Sequence, residues 1–321
     1  MLSDELMVAQ TVNYLSAMTV EQMRRWCGFA EKSATKVSAR LAELAEARAI
    51  RQAEKDEDER KLKELEKSRL LEQKIIPHPT KARGGVSAVY ILGNRGKELL
   101  RHEGYSDQIK RFEFGHKSSI SKHNWHSLWV NDIIVSAFRY LKETPGISMP
   151  DASNDFDFKR NRKQFEDIVQ WGDGTKHDAL PDGLLAFKFE DDREKQFLLE
   201  LETGSQAPAA IREKVKNLVL FVHQGGYQRI FQTELFSGFL FFAMGVDEGG
   251  SADDHRKMLL VAIAQQLREM GFAGQRKGEY DYRPLFRVTA EPPDSLHLFD
   301  RPVWHCPDHY EGPYRLFVDI T

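Results

Sequence analysis

Two consecutive apolar segments of the chain carry acidic residues at the ends that would meet in a sheet. The first segment, Leu180–Phe189, opens with Asp182 after a proline, and the second, Gln196–Glu202, closes with Glu200 and Glu202. A short charged turn joins the segments, so they are predicted to pair as antiparallel strands with Asp182 beside Glu200. Carboxylates brought together inside a sheet need a cation or a raised pKa. This pattern therefore constrains both the fold and the chemistry of the chain.

The acidic cluster predicts a divalent-cation site. Asp182, Glu200 and Glu202, with a backbone carbonyl near Leu201, would supply the oxygen ligands that Mg²⁺ prefers. Bound Mg²⁺ activates water and neutralises phosphate charge during hydrolysis. Lys214, on the next predicted helix, would stabilise the developing charge or orient the water. The candidate catalytic residues are Asp182, Glu200 and Lys214, and the candidate metal ligands are Asp182, Glu200 and Glu202.

Each of these residues also has a purely structural alternative. Asp182, between proline and glycine, suits a turn. Glu200 and Glu202 share one strand face and would be ordinary surface acids if that face points to solvent. Lys214 lies in a mostly polar helical stretch. Under these alternatives the domain holds no metal and does not cleave.

The hydrophobic periodicity around the acidic cluster predicts an α+β domain. Apolar residues at helical spacing predict a helix from Trp125 to Lys142, whereas residues 151–163 are polar and are expected to be irregular. The further predicted elements are strands at 165–171, 180–189, 196–202, 239–245 and 285–290, and helices at 208–223 and 255–270.

The first part of the chain has the element order of a winged helix-turn-helix. Predicted helices cover Leu6–Leu15, Val20 to about Phe29, and Ser33–Ala47, with Thr19 and Gln22 forming a capping box for the second. Two β-rich runs follow, around a basic tip that contains two glycines. In such a domain one helix enters the major groove and the wing contacts phosphates. The candidate DNA-binding residues are Lys36, Ser38, Arg40, Lys81 and Arg83.

A charged spacer, residues 51–74, separates the third helix from the hairpin. It holds eight basic and eight acidic residues, which is typical of a solvated helix. Its pattern repeats that of the preceding helix after 21 residues, so either 33–47 or 58–68 could be the recognition helix. Because 21 residues are three heptads, one long helix or a dimerising coil is a third alternative. We favour a helical insertion or a dimer contact.

Charge and composition favour a polyanionic partner for the first part of the chain. Residues 1–122 carry 23 Lys+Arg against 18 Asp+Glu, whereas the remainder is acidic. Two cysteines cannot build a disulfide framework or a four-cysteine zinc site. The sequence has no apolar run of membrane-spanning length, no secretory signal and no phosphate-binding Gly-Lys-Ser/Thr loop. We therefore expect a cytoplasmic protein that is neither membrane-bound nor an NTPase.

The Pro-Asp…Glu-x-Glu pattern resembles that of the PD-(D/E)xK nuclease superfamily. Glu202 stands at the position where the superfamily usually has lysine. The resemblance implies that Lys214, on the next helix, takes the role of that lysine. The chain as a whole resembles the replication-relaxation family of plasmids and other mobile elements. The segments that carry this resemblance are Met18–Gln22, Tyr90–Gly96, His126–Asp132, Leu180–Gly183, Phe197–Gly204 and Lys214. The resemblance implies a winged helix at 1–122, with an insertion at about 51–74, and a restriction-endonuclease-like αβββαβ domain at 123–321.

Three functional hypotheses follow from the sequence. The first is a DNA-binding accessory protein of plasmid or mobile-element replication or transfer, which binds double-stranded DNA and recruits replication or transfer proteins without cutting. The second is a Mg²⁺-dependent DNA endonuclease, or nickase. The third is a protein-interaction module that does not bind DNA. A homodimer is compatible with each of them.

Overall fold

The computed structural model shows a mixed α and β protein that divides into two compact units, residues 1–131 and 132–321. The boundary falls within one helix, Lys122–Glu143. No helix among the described residues is long and apolar enough to cross a membrane. The structure describes residues 4–28, 33–77, 86–105, 122–245, 251–273, 281–308 and 312–317.

The first unit combines helices with a three-stranded antiparallel sheet. In this sheet β3 (Val86–Leu92) lies between β1 (Ala17–Thr19) and β2 (Leu71–Pro77). The predicted capping box is confirmed: Thr19 accepts a hydrogen bond from the backbone N–H of Gln22, and the Gln22 side chain accepts one from the backbone N–H of Thr19. The elements are α1 (Asp4–Leu15), β1 (Ala17–Thr19), α2 (Val20–Trp26), α3 (Ala34–Leu44), α4 (Ala47–Lys55), α5 (Glu59–Ser68), β2 (Leu71–Pro77), β3 (Val86–Leu92), α6 (Asn94–His102) and the first part of α7 (Lys122–Glu143).

The charged spacer forms two short helices instead of one long helix. Helix α3 stops at Leu44, earlier than predicted, and Glu46 adopts a positive φ of 50° before α4 begins. Asp58 then caps α5 by accepting a hydrogen bond from the backbone N–H of Lys61. These breaks exclude a continuous three-heptad coil over the segment. The predicted wing residues Lys81 and Arg83 lie outside the described residues.

The second unit is built on a mixed five-stranded sheet. From one edge to the other, the strands are β10 (Phe286–Thr289), β9 (Gly238–Ala243), β8 (Glu194–Glu202), β7 (Gly183–Phe189) and β4 (Ile147–Ser153). Strands β4, β7 and β8 pair antiparallel, whereas β8, β9 and β10 run parallel. The elements that follow α7 are β4 (Ile147–Ser153), α8 (Asp155–Arg160), β5 (Val169–Gln170), β6 (Lys176–His177), β7 (Gly183–Phe189), β8 (Glu194–Glu202), α9 (Pro208–His223), α10 (Gly226–Phe231), β9 (Gly238–Ala243), α11 (Ala252–Glu269), β10 (Phe286–Thr289) and α12 (His297–Asp300).

The prediction of a main-sheet strand at 165–171 is wrong. Only Val169–Gln170 is extended there, and it pairs with β6 in a separate two-stranded sheet. The third antiparallel strand is β4, for which no strand was predicted, and the stretch 151–163 that was expected to be irregular contains the end of β4 and all of α8. As an edge strand, β4 has only one buried residue, Ala152, and it tolerates Pro150 and a register shift between Ser148 and Asp151. It therefore lacks the apolar alternation on which the prediction depended.

A core of buried apolar side chains fixes the positions of the central strands and the two long helices of the second unit. Every residue of β9 is buried, as expected for a strand between neighbours in a covered parallel sheet. Helices α9 and α11 pack together, and each buries one face, which includes Val215 on α9 and Ile263 on α11. This core holds α9 against the carboxyl end of β8, where the candidate residues lie.

Candidate functional site

Asp182 immediately precedes β7 and is hydrogen-bonded across to β8. Its backbone N–H donates to the carbonyl of Leu199 (3.0 Å), and its carboxylate Oδ2 accepts from the backbone N–H of Leu201 (2.8 Å). The register pairs Gly183 with Leu199, which brings Asp182 level with Glu200 on the neighbouring strand. The antiparallel pairing therefore fixes the carboxylate of Asp182 at the end of β8.

Glu200 and Glu202 are both buried. Glu200 has no exposed surface and Glu202 is 1% exposed, so neither is an ordinary surface acid. Two residues apart on one strand, they share a face of the sheet. Within the described residues, neither carboxylate oxygen of Glu200 has a hydrogen-bond partner. A buried carboxylate left in this condition is costly unless a cation lies nearby.

Lys214 brings a positive charge to these two glutamates from α9. The helix begins with Pro208 at its first position and buries residues that include Ile211 and Val215. The Lys214 ammonium Nζ lies 3.0 Å from Oε2 of Glu200 and donates a hydrogen bond to Oε1 of Glu202 at 2.5 Å. Its side chain keeps 26% of its surface exposed, so the cluster reaches the protein surface at this residue.

The electrostatics of the cluster are strongly coupled. Burial raises the pKa of Glu200 well above its ordinary value, and Lys214 opposes the shift, whereas Asp182 and Glu202 add to it. Burial alone would lower the pKa of Lys214, but the three carboxylates outweigh it and hold that pKa well above the usual lysine value. When all four groups are ionised, the cluster carries two negative charges more than positive ones. This excess equals the charge of one divalent cation.

Sequence reasoning missed one further acid. Asp155, only 2% exposed, has a carboxylate oxygen within 4.8 Å of a carboxylate oxygen of Asp182. It opens α8 after Asn154, which forms a capping box with Asp157, and it accepts a hydrogen bond from Lys159 (2.6 Å). The Asn-Asp-x-Asp start signal for this helix is present in the sequence. The spacing along the sequence does not indicate that Asp155 would lie near Asp182, which follows it by 27 residues.

A surface cavity of about 300 Å³ gives access to Lys214. Its walls come from the segment before β7 and from the loop and first turns around the start of α9. The residues that line the cavity include Asp178, Leu180, Glu213, Lys214 and Asn217. The volume is at the lower end of that of small-molecule sites.

Three of the five candidate DNA-binding residues lie on α3. Lys36 and Arg40 are exposed and Ser38 is half-buried, whereas Val37 and Leu41 face the interior, as the periodicity predicted. Arg40 forms an exposed ion pair with Glu43, whose carboxylate lies 3.0 Å away. Helix α3 therefore presents two cations on its outer face.

Comparison with known proteins identifies the family. Among curated proteins and among solved structures, no match to the chain was found. A family model described as replication-relaxation matches residues 47–233, more than half of the chain. The matched range includes Asp182, Glu200, Glu202 and Lys214. The chain belongs to the replication-relaxation family.

Proposed function

We propose that the protein is a DNA-binding protein of plasmid or mobile-element replication or transfer, and that its second unit hydrolyses DNA phosphodiesters with a divalent cation. The family supports the link to replication. The observation that carries the cleavage proposal is the convergence of Asp182, Glu200 and Glu202 with the Lys214 ammonium group at the end of β8. This combination of residues resembles the PD-(D/E)xK pattern, with the lysine supplied by a helix.

The residues fit a hard divalent cation. Mg²⁺ prefers carboxylate oxygens, and the cluster offers those of Asp182, Glu200 and Glu202. Oε2 of Glu200 has the Lys214 ammonium 3.0 Å away, whereas its buried Oε1 has no hydrogen-bond partner among the described residues, which favours a second positive partner at this site. A bound divalent cation would supply Lewis-acid polarisation of the phosphate and a more acidic water molecule.

Each protein group then has a defined task. Asp182 is oriented by the backbone N–H of Leu201, so its carboxylate is fixed before substrate arrives. Lys214 keeps its proton because its pKa is raised, which suits it to stabilise phosphate charge and makes it a poor general base. Glu202 accepts a hydrogen bond from Lys214 and so orients the ammonium group. In this proposal Glu202 combines a ligand role with a positioning role.

The first unit would hold duplex DNA. The helices α1, α2 and α3, the hairpin of β2 and β3, and the sheet order β1–β3–β2 support a winged-helix arrangement. Exposed Lys36 and Arg40 on α3 support a contact with the phosphate backbone or the major groove. A mobility-shift titration at several salt concentrations tests this part, because phosphate contacts make affinity fall steeply with salt. No shift at micromolar protein and low salt would exclude it.

Conversion of supercoiled plasmid to open circles tests the cleavage part. We expect nicking with Mg²⁺ or Mn²⁺ and none with EDTA. Asp182→Asn keeps the shape of the side chain but removes a charge, and it should abolish nicking while leaving the mobility shift intact. Glu213→Gln, an exposed acid beside Lys214, is the matched control and should nick normally. Nicking that survives Asp182→Asn rules out this site.

The non-cleaving accessory protein is the second candidate. Glu202 occupies the strand position at which the nuclease superfamily usually has lysine. Under this alternative, the Lys214 ion pairs only neutralise buried acids. DNA binding without nicking under any divalent cation supports it.

A further inference from the structure

A small hairpin is fastened to α9, the helix that carries Lys214. It consists of β5 and β6, and its Gln170 exchanges two hydrogen bonds with the Gln224 side chain (3.0 and 2.7 Å). The indole Nε1 of Trp171 donates to Oδ1 of Asn217 on α9 (2.8 Å). The hairpin is therefore held in a defined position on the helix.

Trp171 is the centre of a three-layer stack. The imidazole ring of His177 lies 3.8 Å from the indole ring, centroid to centroid, at an angle of 16°. The ammonium Nζ of Lys216 lies 3.3 Å from the indole centroid. Two groups this close to one ring centre would overlap on the same face, so they occupy opposite faces. The order of the layers is ammonium, indole, imidazole.

The stack lies beside the approach to the acidic cluster. Asn217, which holds Trp171, lines the same 300 Å³ cavity as Lys214, one helical turn away. The chain that leaves His177 supplies Asp178 and Leu180 to another wall of that cavity. The same segment then reaches Asp182. Two short stretches of chain therefore connect the aromatic stack to the acidic cluster. One is the helical turn from Asn217 to Lys214 on α9, and the other is the segment from His177 to Asp182.

We infer that the imidazole side of this stack binds the base of an unpaired nucleotide, so that the DNA cleaved at the acidic cluster is single-stranded next to the scissile bond. This inference rests on the proposed function and names its substrate class. A half-buried ring layered on an indole offers a flat face of the kind on which single-stranded bases stack. Bases inside a duplex are already stacked and cannot occupy it.

Two lysines near the stack suit the same ligand, and the exposed acids Asp173 and Asp178 lie in the same segment. Lys216 on the far side of the indole and exposed Lys176 next to His177 are positive groups that can contact the flanking phosphates. Within the part of the chain that the structure describes, Trp171 is the only ring stacked on His177. A base stacked on the imidazole would extend the layers by one.

Fluorescence anisotropy with the full chain in Ca²⁺ tests the inference. The probes are a blunt duplex and the same duplex with a twelve-thymidine single-stranded tail. His177→Ala leaves the Trp171 and Lys216 contacts in place. It should weaken binding of the tailed probe about five- to a hundredfold, without changing binding of the blunt probe. His177→Phe, which restores a flat ring, should recover the tailed affinity.

The outcomes separate this inference from the proposed function. Equal affinity of wild type and His177→Ala for the tailed probe would overturn the base site and leave the stack as a fastening for the hairpin. Plasmid nicking is scored in parallel. A wild-type protein that never nicks but loses tailed-probe affinity on His177→Ala keeps the base site and contradicts the cleavage proposal. If the wild type nicks and His177→Ala binds the tailed probe as tightly as the wild type does, the cleavage proposal stands and the base site is contradicted.

Discussion

The ammonium nitrogen of Lys214 lies 3.0 Å from a carboxylate oxygen of Glu200, a residue with no exposed surface. The same nitrogen donates to Glu202, so one helical lysine neutralises two buried acids on a strand. Since Asp182 adds a third carboxylate, the lysine cannot balance the cluster alone. The remaining negative charge makes the site both a candidate cation site and a source of instability.

Glu200→Gln should stabilise the cation-free protein while abolishing nicking. The substitution keeps the side-chain shape and removes one of the three buried or partly buried negative charges that share the single Lys214 ammonium group. Lys214 retains Glu202 as its partner. We expect the Tm in EDTA to rise by about 2–4 °C, which corresponds to about 1 kcal/mol. Scanning calorimetry measures this shift. A lower Tm for Glu200→Gln than for Glu213→Gln would show that the charge of Glu200 stabilises the fold.

The difference between wild type and Glu200→Gln should depend on pH. In the folded state, burial raises the pKa of Glu200 above its ordinary value of 4.5, so the folded protein holds this proton to higher pH than the unfolded chain does. The contribution of this group to stability is therefore full below pH 4.5 and falls as pH rises through the folded pKa. Urea denaturation in EDTA should show nearly equal stabilities at pH 4 and a growing advantage of the glutamine variant toward pH 8. A gap that is constant with pH would exclude a raised pKa at this residue.

Lys214→Met should destabilise the second unit. It leaves Glu200 and Glu202 buried without their cation, and breaking such a pair costs about 3 kcal/mol. The double variant Lys214→Met with Glu202→Met removes both charges of the closer pair and should recover part of the loss. Denaturation midpoints of the single and double variants give the coupling energy. Additive effects would indicate that the 2.5 Å contact contributes nothing.

The two charged helices of the first unit can be distinguished by charge reversal. Lys36→Glu with Arg40→Glu on α3 should weaken duplex binding. The slope of the logarithm of the binding constant against the logarithm of the salt concentration should decrease in magnitude by about one for each phosphate that the protein no longer neutralises. Arg60→Glu with Lys63→Glu on α5 changes the same charge on exposed residues and is the control. Mobility-shift titrations at three salt concentrations provide the slopes. A larger loss of affinity from the α5 pair would make α5 the DNA-contacting helix.

Much of the site could be predicted because its geometry follows from local rules. The proline and glycine around Asp182 and the short charged turn fix two paired strands, and a period of two places Glu200 and Glu202 on one face. The position of Lys214 followed from the helix that begins at Pro208. These relations need only strand register and helix pitch.

The remaining features depend on long-range packing. Strand β4 lies at a sheet edge, buries only Ala152 and has a register shift after Ser148, so it lacks a continuous apolar alternation. Asp155 lies near Asp182 because it comes two residues after the end of β4, where Ser153 pairs with Leu184 of β7. The charged spacer splits into α4 and α5 at Glu57, which has a positive φ of 55°. Periodicity carries no information about any of these.

Cation binding by the acidic cluster is the central claim, and Mn²⁺ electron paramagnetic resonance tests it directly. Titration of the full chain with Mn²⁺ should show one ion that loses its free-ion signal in wild type and in Glu213→Gln. The same titration of Asp182→Asn and Glu200→Gln, both folded by circular dichroism, should show that ion free in solution. Equal Mn²⁺ binding in all four proteins, or none in wild type, would contradict the account.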